Sequence, residues 1–463
     1  MTITRFAPSP TGDPHIGNIR TALLVYLFAK SQNGKFLLRI EDTDRKRHVE
    51  GSVQTIIDAL AWLGMTPDNI NDPMVQSKRL PIYKKYALEL VKEGKAYVCT
   101  CSSEDLEASR KKMQAEGKPP MYSRACRDKG LQYKEGESVV RMKVPANEKI
   151  AFDDLVRGKV EFDSSTIDDQ VILKSDGYPT YHLAHIIDDN EMQVTHVIRS
   201  EEWLSSTPKH ILLNQMLGFE TPQYAHLPII LGPNKGKLSK RDGAVGILEY
   251  RKLGYLPEAL VNFMAFLGWN PKDEREFFTL AELEKEFDIK NVNKSGAVFD
   301  IEKLNFLNRH YLQEKEIAEI KMLIDPKTLE KFSDFDVDKV IALSRERMEK
   351  VSDFEDTVSF LLEAKATADI LVFKKSNREN TLAGLSAALA EIEKLDQFDA
   401  TGIKSALEKA IKSSNLSNGD IFWPIRVALS GMEKSPPPEL IAAVLGKEKS
   451  IERIEKAIQT LSV

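Results

Sequence analysis

The sequence predicts an α/β protein: a Rossmann-like parallel-sheet domain split by an α+β insertion, followed by a further region and an all-helical C-terminal part. Three observations predict this. Near the N terminus, strand-length apolar runs alternate with helical patterns in the order strand, helix, strand, helix, which implies a parallel sheet of the doubly wound type. The alternation breaks off at about residue 76 and returns at about residue 170. Beyond roughly residue 310 strand signals fade and helical periodicity takes over. At 463 residues the chain exceeds what one hydrophobic core organises, and roughly three to five structural units are expected.

The first strand is Ile3-Thr4-Arg5-Phe6-Ala7, followed by a Pro/Gly-rich turn from Pro8 to Pro14 and an apolar helical stretch from about Ile19 to Lys30, which Gly34 can end. A second strand follows at Phe36-Leu37-Leu38-Arg39-Ile40. Ser52 can cap the next helix, which carries Val53, Ile56, Ile57, Leu60 and Leu63 on one face. From about Gln76 to Asp169 the character changes to a helix (Leu80 to Lys92), a cysteine region and short apolar alternations such as Val139 to Val144. The sheet pattern resumes with Val171-Ile172-Leu173, Val194 to Ile198, a helix opened by Thr207-Pro208, and Leu227 to Leu231. In the helical end Pro436-Pro437-Pro438 introduces one of the last helices, and Ile451, Ile454, Ile458 and Leu461 form one stripe behind a Ser450 cap. The boundaries that follow are 1–75 with 170–236 for the sheet domain, 76–169 for the insertion, 237–312 for the next region and 313–463 for the helical end, with a break near 375.

Hydrophobic residues at 42% and charged residues at 29% match an ordinary globular protein and exclude wholesale disorder. The start lacks a basic region followed by an apolar run, and no stretch approaches the ~20 apolar residues that span a bilayer, so neither secretion nor membrane insertion is expected. Three cysteines, an odd count, cannot complete a disulfide framework and fit a reducing compartment, so a cytoplasmic location is expected. A net charge of −5 argues against a uniformly basic coat but leaves room for a local basic face that meets phosphates.

The strongest chemical signal is Pro8-Ser9-Pro10-Thr11-Gly12-Asp13-Pro14-His15-Ile16-Gly17-Asn18, between the first strand and the first helix. A helix start there exposes backbone N–H groups to anions. Gly17 would let the backbone approach a nucleotide, and His15 can donate to phosphate oxygens as charge builds. A bare His-x-Gly is usually a loop with a stray histidine; the flanking strand and helix reverse that weighting. The second signal is Gly236-Lys237-Leu238-Ser239-Lys240-Arg241-Asp242-Gly243. Lys237 and Lys240, three apart, could neutralise a triphosphate during attack at its α-phosphate. Alone, such a loop is more often a solvated turn.

Together these stretches resemble the HIGH and KMSKS signatures of class I aminoacyl-tRNA synthetases. The residues from Arg5 to Gly12, Arg39-Ile40-Glu41-Asp42-Thr43-Asp44, Tyr178-Pro179-Thr180-Tyr181-His182-Leu183 and Arg199-Ser200-Glu201-Glu202-Trp203 are similar to stretches of the glutamyl-tRNA synthetase family, in its order and over essentially the whole chain. Asn18 stands where the generic HIGH pattern ends in His, as is common in that family. The resemblance implies ATP-dependent activation of L-glutamate, with Mg²⁺, and its transfer to tRNA(Glu) by a monomer. It implies His15, Lys237 and Lys240 as catalytic residues, and Ser9, His15, Gly17, Glu202, Ile229, Ile230 and Lys240 around ATP. It places Arg5, Ala7, Ser9, Glu41, Tyr181 and Arg199 around glutamate.

Charge chemistry agrees: guanidinium forks suit the γ-carboxylate, and Glu41 suits the α-ammonium. Pairing of these arginines and Glu41 with each other or with neighbouring acids is an equal alternative on the residues alone. The resemblance makes the insertion an acceptor-arm-binding domain, with basic segments at Lys78-Arg79, Lys84-Lys85 and Arg110-Lys111-Lys112. It makes 237–312 a stem-contact domain, continuing through Arg251-Lys252 and Lys290 to Lys294, and the helical end an anticodon-binding region with Arg345 and Arg347 near an anticodon base.

Cys99-Thr100-Cys101 with Cys126-Arg127-Asp128 has the layout of zinc-bearing relatives, except that Asp128 stands where they place His or Cys. Two readings stay open: a structural zinc with Tyr122 or Asp128 as an oxygen ligand, and three thiols without metal. His182 and His185 lack the Glu of a zincin motif and read as pocket or core residues. A glutaminyl-tRNA synthetase would have a different Pro-rich loop and a β-rich C-terminal part. A tRNA-base-modifying paralogue would lack the helical end, and a non-catalytic descendant would not need His15, Lys237 and Lys240.

Overall fold

The computed structural model describes every residue except 45, 46, 48, 118, 237, 239–244 and 463. It divides into two units, Met1–Arg251 with Pro257–Leu304, and Lys252–Leu256 with Asn305–Val463.

In the first unit the chain runs β1 (Ile3–Phe6), α1 (Ile16–Ser31), β2 (Lys35–Ile40), α2 (Ser52–Trp62) and β3 (Met74–Val75), and the three strands form a parallel sheet in the order β1-β2-β3. Next come α3 (Leu80–Lys92), β4 (Ala96–Cys99), α4 (Ser103–Ala115), β5 (Val139–Met142), β6 (Lys149–Asp154), β7 (Gly158–Asp163) and β8 (Val171–Leu173). After them α5 (Tyr181–Glu191), β9 (His196–Ser200), α6 (Thr207–Leu217) and β10 (Gln223–Leu227) complete a second sheet, β7-β6-β10-β9. In that sheet β9 and β10 pair in parallel, as do β10 and β6, while β6 and β7 form an antiparallel hairpin. The Thr195 N–H donates to the Ile3 carbonyl at 2.9 Å and Thr195 Oγ1 accepts from Ile3 N at 2.9 Å, so β1 lies beside β9 and the chain direction of the sheet reverses its winding there. A crevice beyond the carboxyl ends of β1 and β9 is where a doubly wound fold receives its ligand.

The predicted α1 is longer than the apolar pattern and buried nearly all round, from Ile19 to Ala29 except Thr21. Such a helix needs cover on every side, which β1, β2 and β9 provide together with α8 (Pro257–Phe266) and α9 (Leu280–Glu286). The predicted α3 spans Leu80–Lys92 as read from the sequence, and Thr207-Pro208 opens α6.

Four expectations need correction. Val171–Leu173 does not resume the main sheet; it pairs antiparallel with β5, giving a separate sheet β4-β5-β8, because Ile172 and Leu173 bury against Val140, Met142 and Tyr83. The β6–β7 hairpin, read as part of the insertion, hydrogen-bonds into the main sheet through β10. Leu227 to Leu231 is two strands, since Pro228 interrupts the ladder; Ile230–Leu231 pairs elsewhere, with Ala297–Val298. Ser52 and Ser450 are not caps: Gly51, with φ 80°, precedes the first helix, and Ser450 lies inside Lys447–Ser462 with its hydroxyl donating to the Gly446 carbonyl at 2.7 Å.

The second unit is helical throughout among the described residues, and Pro438–Leu445 begins at the proline run as predicted. In it Arg378–Glu393 crosses closely against Asn418–Ser430. A Cβ on Gly384 would stand 2.0 Å from the Asp420 carbonyl oxygen, closer than any atom can approach. Gly384→Ala should therefore destabilise this unit by roughly 1–3 kcal/mol through overpacking, despite the ~1 kcal/mol that alanine gains over glycine in a helix. Thermal unfolding followed by circular dichroism measures this; an unchanged or raised melting temperature would contradict the close approach.

Candidate active site

Side chains from four separate stretches meet at the β1–β9 crevice. On β1, Arg5 is buried and its Nε donates to Asp189 Oδ1 at 2.9 Å. On β2, Arg39 donates from Nη1 to the same oxygen at 2.5 Å and from Nη2 to Glu41 Oε1 at 2.9 Å. Asp189, near the end of α5, thus joins two strands. Its neighbour Asp188 accepts from Arg79 Nε at 3.0 Å, Gln76 at 2.8 Å and Tyr83 at 2.9 Å. Burial alone would raise the Asp189 carboxyl, but Arg39 and Arg5 hold it well below the usual carboxylate range. Burial does raise the Glu41 carboxyl, with Arg39 and Arg5 pulling the other way. Among the described residues, neither Nη of Arg5 nor Oε2 of Glu41 has a hydrogen-bond partner, so each presents an open atom beyond its internal ion pair.

Arg199, on β9, is held differently. Its Nε donates to His226 Nε2 at 3.1 Å, Nη1 to the Tyr181 hydroxyl at 3.3 Å, and Nη2 to Thr207 Oγ1 at 2.9 Å and to His210 Nδ1 at 3.0 Å. Its Cζ lies 5.4 Å from the Tyr224 ring centre. Among the described residues no carboxylate lies within ion-pair distance of it. Tyr181 stacks on His185 at 4.4 Å and leans on Trp203 at 4.2 Å. Its recessed phenol is raised from its ordinary value against the pull of Arg199, so it stays protonated. Tyr224 is buried, and its hydroxyl has no hydrogen-bond partner among the described residues.

The half of the crevice where the sequence motif leads one to expect a nucleotide is built largely from backbone. His15 caps α1: its Nδ1 accepts from Gly17 N at 3.1 Å, which in the neutral ring puts the proton on Nε2, the donor edge. A Cβ on Gly17 would stand 3.0 Å from that ring, so glycine fits the cap. The Pro8 carbonyl accepts from Glu41 N at 3.0 Å, tying the loop that carries Ala7 and Ser9 to the end of β2. The Ile229 N–H is engaged by Glu201 Oε1 at 3.0 Å, and Glu201 also pairs with Arg157 at 2.6 Å. Arg20 reaches from α1 to the Pro228 carbonyl, and burial lowers it to about 10 against the pull of Glu201. The Glu202 N–H meets Ser200 Oγ at 3.4 Å at the end of β9.

Lys237 and Lys240 lie outside the described residues. Described neighbours on both sides are pinned beside the crevice: Leu238 N donates to the Ile230 carbonyl at 3.2 Å, and Ile247 N to the Pro14 carbonyl at 3.0 Å.

Away from the crevice, the thiol sulfurs of Cys99, Cys101 and Cys126 lie within 4.8 Å of one another. The Tyr122 hydroxyl lies 3.3 Å from Cys99 Sγ and 3.4 Å from Cys101 Sγ, and accepts from Cys126 N at 3.0 Å. Asp128 is not brought to them; it is exposed and pairs with Lys143 at 3.1 Å. Of the basic segments, Arg79 pairs with Asp188, and Lys84 with Glu135 at 2.5 Å. In the second unit Arg345 Nη1 donates to the Lys315 carbonyl at 3.1 Å and Arg347 Nη2 to the Lys434 carbonyl at 3.2 Å.

Sequence reasoning missed Arg39, Asp188, Asp189, His210 and His226 as parts of the site. The adjacent acids of α5 belong to no motif, and only their position shortly after the Tyr178–Leu183 stretch could have flagged them. No helix among the described residues is long and apolar enough to cross a membrane.

The chain is similar over nearly its whole length to known proteins. Residues 1–306 match the family of class I tRNA synthetases (E and Q), catalytic domain, and residues 312–458 an anticodon binding domain. A glutamate--tRNA ligase of Dehalococcoides mccartyi is 45% identical over 99% of this chain and 97% of its own. Glutamate--tRNA ligase 2 of Thermoanaerobacter pseudethanolicus is 42% identical over 98% and 97%. A crystal structure of a glutamate tRNA ligase from Elizabethkingia meningosepticum in complex with its amino acid superposes with a TM-score of 0.88 at 38% identity, covering 99% of both chains.

The buried histidines give a pH signature. Burial, helped by Lys209 and Arg199, lowers His182 from its ordinary 6.5 to about 4, and burial also depresses His185, His210 and His226. A folded-state value below the unfolded one means the unfolded chain takes up protons first, so this contribution to stability is complete above pH 6.5 and is lost as pH falls towards 4. For His182 the loss is on the order of 1–3 kcal/mol. Because the raised Glu41 and Asp188 act in the opposite sense, the measurement is a comparison. The melting temperature of His182→Asn should fall less steeply than that of the parent between pH 6.5 and 4, and parallel slopes would refute the assignment.

Proposed function

Because the chain belongs to the glutamate-tRNA ligase family of class I tRNA synthetases, we propose that the β1–β9 crevice holds L-glutamate by its two charged ends beside ATP. The observation that carries this reading is the pair of cationic groups left open to the crevice: the Nη fork of Arg5 and an Arg199 with only neutral partners. The γ-carboxylate would lie between them with the Tyr181 hydroxyl donating, and Glu41 Oε2 would accept from the α-ammonium. Ala7 and Ser9 line the same loop. Arg5 offers the two-pronged contact; Arg199 contributes mainly charge, since most of its N–H groups are engaged.

With both substrates bound, the glutamate α-carboxylate oxygen attacks the ATP α-phosphorus in line. The bond to the bridging oxygen breaks, and pyrophosphate leaves with the electron pair. The terminal ribose hydroxyl of tRNA(Glu) then attacks the acyl carbon, forming the ester, releasing AMP and giving up its proton. No covalent enzyme intermediate is needed, so positioning and electrostatics carry the catalysis. The His15 Nε2–H and the ammonium groups of Lys237 and Lys240 meet the phosphates as their charge shifts. Mg²⁺ bound with ATP would neutralise phosphate charge. Gly17, Glu202 and the Ile229-Ile230 segment are proposed to border the nucleoside.

Residues 76–169, apart from the β6–β7 hairpin, are proposed as the acceptor-arm domain and 237–312 as the stem-contact domain. Arg345 and Arg347 are proposed to face the anticodon from the helical region of 313–463, which is divided near 375. The cysteine cluster has a donor set that fits a structural zinc: Cys99, Cys101, Cys126 and Tyr122 would hold it, and a closed site of this kind stabilises its fold.

Two measurements test these assignments. Arg5→Lys should raise KM for glutamate on the order of 10–100-fold, because a point charge replaces a planar fork, while KM for ATP in the aminoacylation assay changes little; equal losses in both would place Arg5 outside the amino-acid pocket. For zinc, elemental analysis of purified protein should find the metal in the parent and in Asp128→Ala but not in Cys126→Ser. A metal-free parent would overturn that site.

A further inference from the structure

Arginine carries five N–H donors and no acceptor, so every group hydrogen-bonded to Arg199 must accept, and this fixes protons that coordinates alone do not reveal. His210 Nδ1 accepts from Nη2, so its proton is on Nε2, which donates to His182 Nδ1 at 2.9 Å. His226 Nε2 accepts from Nε, so its proton is on Nδ1, which donates to Asp154 Oδ2 at 2.6 Å. Both rings are therefore neutral. Burial, which depresses His210 and His226, keeps them so. The carboxylate of Asp154 stands off by the width of an imidazole, and its other oxygen accepts from the backbone N–H groups of Val156, Arg157 and His226. With Thr207 and Tyr181 also accepting, one Nη1–H of Arg199 remains.

Elsewhere in this pocket the chain holds its arginines with acids: Asp189 serves Arg5 and Arg39, and Glu41 serves Arg39. An acid beside Arg199 would hold the guanidinium equally well. It would also cancel the charge a substrate carboxylate must feel. We propose that His210 and His226 are positioning and specificity-determining residues: they fix the Arg199 guanidinium with neutral acceptors only, leaving its charge for the γ-carboxylate and against the uncharged carboxamide of glutamine. The inference rests on the assignment of Arg199 to the substrate side chain.

The test is a pair of variants alike in shape and different in charge. His210→Asn keeps an oxygen acceptor near the position of Nδ1; His210→Asp puts a carboxylate there. In aminoacylation with tRNA(Glu) and ATP, the Asp variant should show a KM for glutamate on the order of 10–100-fold above that of the Asn variant. KM for ATP and the melting temperature should agree between the two, and the ratio of the glutamine inhibition constant to the glutamate KM should narrow in the Asp variant. Equal glutamate KM values in the pair would overturn the proposal, because a merely structural histidine would tolerate both replacements alike. If His210→Asp does not fold, His226→Gln and His226→Glu form an equivalent pair on the Nε side with the same expected split. Arg199→Lys separates the two claims: an unchanged glutamate KM there overturns the substrate assignment and this inference with it, whereas a raised KM with no split in the pairs overturns the inference alone.

Discussion

A single carboxylate oxygen organises the crevice. Asp189 Oδ1 accepts from Arg5 on β1 and from Arg39 on β2, residues 184 and 150 positions away in the chain. Buried charges are costly unless paired, and deleting one member of such a set leaves the others uncompensated, typically at 3–5 kcal/mol. The consequence is geometric as well as energetic. Helix α5 cannot shift along the sheet without breaking both pairs, so Tyr181 at its first turn is fixed relative to the ends of β1 and β2. Asp188, one residue back, ties the same helix to Gln76, Arg79 and Tyr83 at the start of the insertion. The floor of the crevice and the start of the segment that leaves the sheet at Gln76 are thus set by two adjacent acids.

Against that background the treatment of Arg199 is informative. Arg5 is anchored through Nε by an acid and keeps its fork open; Arg199 is anchored through three of its nitrogens by neutral groups and keeps its charge. These are two solutions to one difficulty, since a buried guanidinium must be fixed in place without being satisfied. The first supplies directional hydrogen bonds to a bound carboxylate, and the second supplies field. A pocket for a dicarboxylic amino acid benefits from both, because donors aimed at two oxygens meet an N–H donor when the ligand is a carboxamide, and an uncancelled cation favours the ionised group.

How far the sequence could be read follows from the range of each interaction. The strands and helices bordering the first motif were legible because they depend on local period and on local breakers: Ile3–Phe6, Lys35–Ile40 and Leu80–Lys92 fall where their patterns place them. Strand partners were not legible, since pairing is non-local. Val171–Leu173 and the β6–β7 hairpin exchanged sheets relative to expectation, although the first was recognisable as a strand and the second lay within the region read as an insertion. In the pocket, Arg5, Glu41, Tyr181 and Arg199 stood out through motifs that resemble a family. Arg39 stood in one of those stretches without a role of its own, and Asp189, His210 and His226, which help hold the others in place, belong to no short pattern that chemistry would single out. Asp128 shows the opposite failure: sequence spacing suggested a ligand, and the fold turned its side chain outward to Lys143.

The two halves of the crevice also differ in what they are made of. The half proposed for the amino acid uses side chains rooted at strand ends, where neighbouring residues are locked by ladders and by the Thr195–Ile3 bonds across the switch point. The half proposed for the nucleotide uses a helix start capped by His15, backbone from the Pro8–Pro14 loop, and the segment in which Leu238 meets Ile230 and Ile247 meets Pro14. This division matches the tasks. Telling one small side chain from another requires donors fixed to a fraction of an ångström. A triphosphate presents diffuse charge that changes place during the reaction, and charges on long side chains can stabilise it without such precision. Precision is therefore concentrated where the parallel sheet reverses its winding, which brings residues from the beginning of the chain beside those from about residue 200.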